Sequence, residues 1–209
     1  MERRFTATTA AANPVTLAER RDGRGKAIIG YGAVFYDGTP GTQYQLGSAV
    51  VERIMPGAFD KALSRPDDVR GLLNHDPNQI LGRSSAGTMR LSVDAKGLRY
   101  EIDTANTTTS QDVQEHLRRG DLSGSSFAFT VDAEEWDDNG PMILRLIRAV
   151  TVYDCGPVTF PAYTASTSGN RDTTAGAMPT STTPANDSLA GRLAAYRVRA
   201  RLCEIGANA

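Results

Sequence analysis

The chain reads as a β-rich α+β domain. Three observations predict that class. Apolar and polar residues alternate over several short segments, as in Met89, Leu91 and Val93 and again in Leu98, Tyr100 and Ile102. Turn dipeptides such as Lys96-Gly97 and Asn139-Gly140 separate such segments. Only two stretches before Tyr163 carry helix signals.

The elements follow in order. Residues 1–15 are rich in Thr and Ala and read as a flexible arm ahead of a domain spanning 16–163. Lys26 to Tyr36 is a strand with glycines in it, and 45–54 is a second. Pro56-Gly57 leads into a short helix over Ala58 to Leu63, with the proline setting its first turn. Residues 69–75 read as a buried strand ending in His75, and 88–103 as a hairpin. Ser110 is placed to cap a helix over 111–119, which Gly120 ends. Residues 124–135 and 142–153 are two further strands, and Val158-Thr159-Phe160-Pro161 closes the compact region.

Beyond Tyr163 the composition changes. Residues 164–187 are Ser-, Thr- and Pro-containing, with Met178 the one large apolar residue, too little to offset the entropy of ordering. This segment reads as a linker. Residues 188–209 read as a basic amphipathic C-terminal helix, with Leu189, Leu193, Tyr196, Ala200 and Cys203 on one face and Arg192, Arg197, Arg199 and Arg201 around them.

Composition narrows the function. The 209 residues suffice for one domain and its extensions. A formal net charge of −1 gives no basic footprint for nucleic acid. Two isolated cysteines make neither a disulfide framework nor a metal motif. No stretch reads as a secretory signal or a membrane span, so a soluble intracellular protein is expected. The glycines form no phosphate loop, and no cofactor or metal is expected.

Serine–histidine chemistry is one reading of the residues, beside purely structural roles for them. The chain has two histidines, His75 and His116. His75 ends an apolar run, whereas His116 lies among Gln114, Glu115 and Arg118 on a solvated helix face. Ser126 opens an alternating run in which Ser126, Ala128 and Thr130 share one face and Phe127, Phe129 and Val131 the other. The aromatic face belongs to a core, which disfavours Ser125 and leaves Ser126 beside room for a substrate. A serine hydroxyl becomes a nucleophile when a base takes its proton, and histidine suits that role near neutral pH. Asp154 is the candidate third group, with Asp76 and Glu52 as weaker alternatives. The letters Gly124-Ser125-Ser126-Phe127-Ala128 approach a nucleophile elbow. That motif needs a helix after the serine and the histidine last in the chain, and neither holds here. Cys155 reads as a buried, inert thiol.

Five segments in order resemble the prohead maturation proteases of tailed bacteriophages. They are Gly30 to Phe35, Glu52 to Phe59, Leu73 to Asp76 with Leu81-Gly82-Arg83, Asp121 to Phe129, and Tyr153 to Tyr163. The resemblance implies His75 as base, Ser126 as nucleophile and Asp154 at a position that is usually Glu. It also implies a mostly antiparallel barrel of six or seven strands ringed by helices, like the herpesvirus assembly proteases. The implied function is an endopeptidase inside the assembling prohead, in the host cytoplasm. Its substrates would be the scaffolding region of the major capsid protein, other prohead proteins and itself, with self-association possible and neither nucleic acid nor membrane as partner. The runner-up reading is an inactive scaffold or capsid-binding module on the same fold; a hydrolase of small esters is a third.

Overall fold

A computed structural model describes residues 15–159, apart from 21, 24, 47, 48 and 65–67, together with the backbone of residues 2–6. Within these residues two sheets, two α-helices and a short 3₁₀ turn (Pro40–Thr42) build the molecule. In chain order the strands are β1 (Glu2–Thr6), β2 (Thr16–Glu19), β3 (Lys26–Val34), β4 (Tyr44–Leu46) and β5 (Val50–Ile54). Then come helix α1 (Asp60–Ser64), β6 (Arg70–Leu72), β7 (Ile80–Arg83), β8 (Met89–Val93) and β9 (Gly97–Asp103). Helix α2 (Thr108–Arg119) precedes the two long strands β10 (Gly124–Asp137) and β11 (Ile143–Val158).

The first sheet has the order β1-β10-β11-β5-β4, with β6 also pairing β11 and β7 pairing β6. The second is β2-β3-β9-β8, antiparallel throughout. The long strand β11 organises the first sheet. One edge pairs antiparallel with β10. The other takes β5 in parallel along Ile143–Ile147 and then β6 in parallel at Asp154 and Cys155.

The expected barrel is therefore corrected. The strands form two sheets that do not close, two of the ladders on β11 are parallel, and two helices, rather than a ring, accompany them. A herpesvirus-protease-like architecture is not what these residues show. Closure requires the two ends of one sheet to pair, and here β1 and β4 end the first sheet while β2 and β8 end the second. Composition could not reveal this, because alternation specifies a half-buried strand and not its partner.

Other expectations shift locally. The 1–15 arm includes β1, which pairs with β10. The 45–54 strand is two strands, β4 and β5. Helix α2 begins earlier than expected: Thr107 is its cap, its hydroxyl accepting from the Ser110 N–H, while Gly120 ends it at φ 80° as expected. The segments 164–187 and 188–209 lie outside the described residues.

The core lies beneath the aromatic face of β10. Phe127 and Phe129, two residues apart, stack at 4.5 Å between centroids. Phe59 meets Phe127 edge-on at 6.0 Å, and Phe35 packs on Phe59 at 5.6 Å. Ile28, Leu98, Tyr100 and Ile102 of the second sheet are buried in the same cluster. Burying this face commits the register of β10, since a slip of one residue would put Ser126 into the core and Phe127 out of it.

Candidate active site

Ser126 and Asp154 are positioned by one antiparallel ladder. Ser126 stands opposite Gly156, and Ala128 opposite Asp154. Ser126 and Asp154 are thus diagonal neighbours, for which the Cα separation is about 7–8 Å. That gap suits an imidazole with a hydrogen bond at each end. Asp154 sits inside β11 rather than after it, contrary to expectation, because the ladder with β10 runs on through Cys155, Gly156 and Pro157.

The imidazole comes from elsewhere. His75 was expected at a strand end, but β6 stops at Leu72 and His75 lies in the turn between β6 and β7. Asn74 and His75 both have left-handed backbones, φ 56° and 58°. That conformation costs about 1–2 kcal/mol for a residue with a Cβ, with asparagine among the more tolerant. Hydrogen bonds hold the turn against this strain. The Asn74 N–H donates to the Pro157 carbonyl at 3.0 Å. Its side-chain oxygen accepts from the Thr159 N–H at 2.7 Å, and its amide nitrogen donates to the Thr159 hydroxyl at 3.0 Å. Asn74 thereby clamps the histidine turn to the end of β11. The turn also closes on itself, through Leu73 N–H to Gln79 O at 3.1 Å and Asp76 N–H to Leu73 O at 3.0 Å.

Gly156 makes this approach possible. A Cβ there would lie 2.0 Å from the Leu72 carbonyl oxygen, so any side chain would push β6 and the turn behind it away from β11.

The three side chains meet. His75 Nε2 lies 2.5 Å from Ser126 Oγ, and His75 Nδ1 is hydrogen-bonded to Asp154 Oδ1. With the Nδ1–H donated to Asp154, Nε2 is left to accept the Ser126 hydroxyl proton. All three are buried, at 6%, 0% and 5% exposure for His75, Ser126 and Asp154. Burial away from water strengthens these contacts and makes an unpaired partner costly.

The alternatives are accounted for. The Ser125 hydroxyl is 2.7 Å from Tyr100 Oη on the core side. Asp76 accepts from Asn78, at 2.8 Å from its N–H and 3.0 Å from its side chain, instead of facing the imidazole. His116 is exposed on α2, 3.8 Å from Asp121. Glu52 is engaged by Arg145 at 2.9 Å. Cys155 is buried, and that burial, reinforced by the Asp154 charge, pushes its thiol far above the ordinary range. A cleft of about 440 Å³ lies elsewhere, between Arg20, Asp22, Arg90, Arg99 and Glu101. Its arginines are already paired, Arg20 with Asp22 and both Arg90 and Arg99 with Glu101, and it holds none of the three residues. Among the described residues no group of three His, Cys, Asp or Glu side chains could hold a metal, and no helix is long and apolar enough to cross a membrane.

Sequence reasoning missed the clamp. Asn74 carries no local signal of this role, because its partner Thr159 lies 85 positions away, beyond any local pattern.

The model of one family, the caudovirus prohead serine proteases, matches residues 14–179. The chain belongs to that family. It is accordingly a serine peptidase of bacteriophage capsid maturation, a hydrolase that works among prohead proteins within the assembling prohead in the host cell. No curated protein and no solved structure matches it.

Proposed function

We propose that Ser126, His75 and Asp154 are the catalytic triad of an endopeptidase that cleaves the scaffolding region of the major capsid protein, other prohead proteins and its own chain. The observation that carries this reading is the line from Ser126 Oγ through both ring nitrogens of His75 to Asp154. His75 Nε2 takes the hydroxyl proton as Ser126 Oγ attacks the scissile carbonyl carbon. The Asp154 carboxylate holds the Nδ1–H tautomer and offsets the charge of the imidazolium. The imidazolium then gives its proton to the leaving amine, leaving an acyl group on Ser126. Water, deprotonated by the same nitrogen, releases the acid and restores the hydroxyl.

The 164–187 segment suits self-cleavage by composition, since a protease needs extended, accessible chain and this stretch has few large apolar residues to fold it away. Cleavage there would detach the basic segment 188–209.

The test compares the chain with its Ser126→Ala variant, each incubated with capsid protein and followed by intact mass. Fragments of both capsid protein and protease are expected from the parent alone, with cleavage slowed about 10⁴-fold or more in the variant. Lasting integrity of every chain in both reactions would overturn the reading in favour of a binding module.

A further inference from the structure

A peptidase that reads extended chain has to seat its substrate beside the nucleophile, and strand addition at a sheet edge does this with main-chain hydrogen bonds. The strand carrying Ser126 has one such side, because β11 takes the other. That side is filled by the chain's own N-terminus. Strand β1 lies antiparallel to β10 with Glu2 opposite Phe129, Arg3 opposite Ala128, Arg4 opposite Phe127, Phe5 opposite Ser126 and Thr6 opposite Ser125. It runs toward the serine and passes it by one position, to Thr6. Ser126 is meanwhile 0% exposed while β1 lies along this edge.

Building on the triad reading, we propose that the β10 edge over residues 125–129 is the docking ledge for an extended substrate peptide, and that β1 occupies it in cis as a competitor. A five-residue strand at a sheet edge belongs to the part of a fold that opens at least cost. Substrate displaces it, so the apparent affinity is reduced by the fraction of molecules whose ledge is free. A high local concentration of substrate, as in a filled prohead, overcomes the competitor where a dilute one does not.

The experiment removes residues 2–6 from the full chain and measures cleavage of a capsid-scaffold peptide. Labelling of Ser126 by a small fluorophosphonate is followed in parallel. The deletion is expected to lower KM about tenfold, as for a ledge occupied nine-tenths of the time, with kcat unchanged. A synthetic peptide of residues 1–8, added in trans, is expected to raise KM again as a competitive inhibitor. A labelled, folded deletion variant with unchanged or raised KM overturns the proposal, and so does a deletion variant that fails to fold, because β1 also packs near β3 and would then be a structural strand. Absence of labelling and cleavage in both chains overturns the triad reading itself. A second measurement uses the intact chain carrying Ser126→Ala. On saturation with the scaffold peptide, amides of residues 3–6 are expected to lose exchange protection while those of 125–129 keep theirs. Retained protection in both overturns the proposal.

Discussion

Strand β11 carries two buried acid–base clusters, one toward each end, and they are built for opposite purposes. Toward its start, Arg145 donates to Glu52 at 2.9 Å and to Glu134 at 2.7 Å, its guanidinium 5.7 Å from the centroid of the Trp136 ring. Toward its end, Asp154 holds His75 against Ser126. Both keep a carboxylate out of water by giving it a partner, as any buried charge requires. The difference lies in the partner. A guanidinium stays charged at any accessible pH and only donates, so the Arg145 cluster can hold strands together but cannot move a proton. An imidazole can give and take one near neutrality. Burial of an acid on β11 therefore does not mark a catalytic group; what its partner can exchange does.

That contrast can be broken in order of effect. Asp154→Asn keeps the shape and removes the charge, so the ring loses its preferred tautomer. Peptide turnover is expected to fall about 10⁴-fold, with the melting temperature little changed, as kinetics and calorimetry on one preparation would show. A turnover within tenfold of the parent would move the third role to another group.

Arg145→Met does the reverse. It takes the Arg145 guanidinium away from the buried Glu52 and should destabilise the fold by about 3–5 kcal/mol in denaturant titrations, with kcat preserved wherever the protein stays folded. Adding Glu52→Gln should recover part of the loss. A drop in kcat larger than the drop in folded fraction would mean that the two clusters are coupled along β11.

The next effect falls on the turn that delivers the imidazole. Asn74→Ala removes two hydrogen bonds to Thr159 and puts a less tolerant residue at φ 56°. It is expected to lower kcat about tenfold through misplacement of His75, and Asn74→Gly, which relieves the backbone but not the clamp, should recover only part of it.

The smallest effect is a pH signature at the base of the same hairpin. Hydrogen bonds from Arg83, then from Ser85, hold the Asp68 carboxyl well below the ordinary carboxylate range. Its folded-state pKa lies below its unfolded value. The stability it contributes is thus present above about pH 4 and lost as the pH falls toward the folded-state value. Asp68 is only half-buried and Arg83 is exposed, so solvent screens the pair and the change is slight. Melting curves from pH 5 down to pH 2 should be steeper for the parent than for Asp68→Asn, and identical slopes would remove the pair from the account.

The β10–β11 half of the site was legible in the sequence. The alternation from Ser126 to Val131 fixes which face the serine takes, and the Asn139-Gly140 turn makes the following apolar run the antiparallel neighbour of β10. The histidine half was legible only as a residue of the right kind. Nothing near Leu72 foretells that the strand stops there and that two left-handed residues follow, since the compensating bonds come from Pro157 and Thr159 at the far end of the chain.

By itself the sequence determined the chemistry available to this protein: one serine on the small face of an aromatic-backed strand, one histidine outside the solvated helix, an acid two positions before Gly156, and motifs enough to assign the family. Side-chain period and residue type are local properties, and local properties can be read along a chain. Only the tertiary structure decided that the strands form two open sheets instead of a barrel, that the histidine turn is clamped onto β11, and that β1 lies along β10 opposite the serine. Each of these depends on which distant backbone groups satisfy one another, a choice made by packing and hydrogen bonding across the fold.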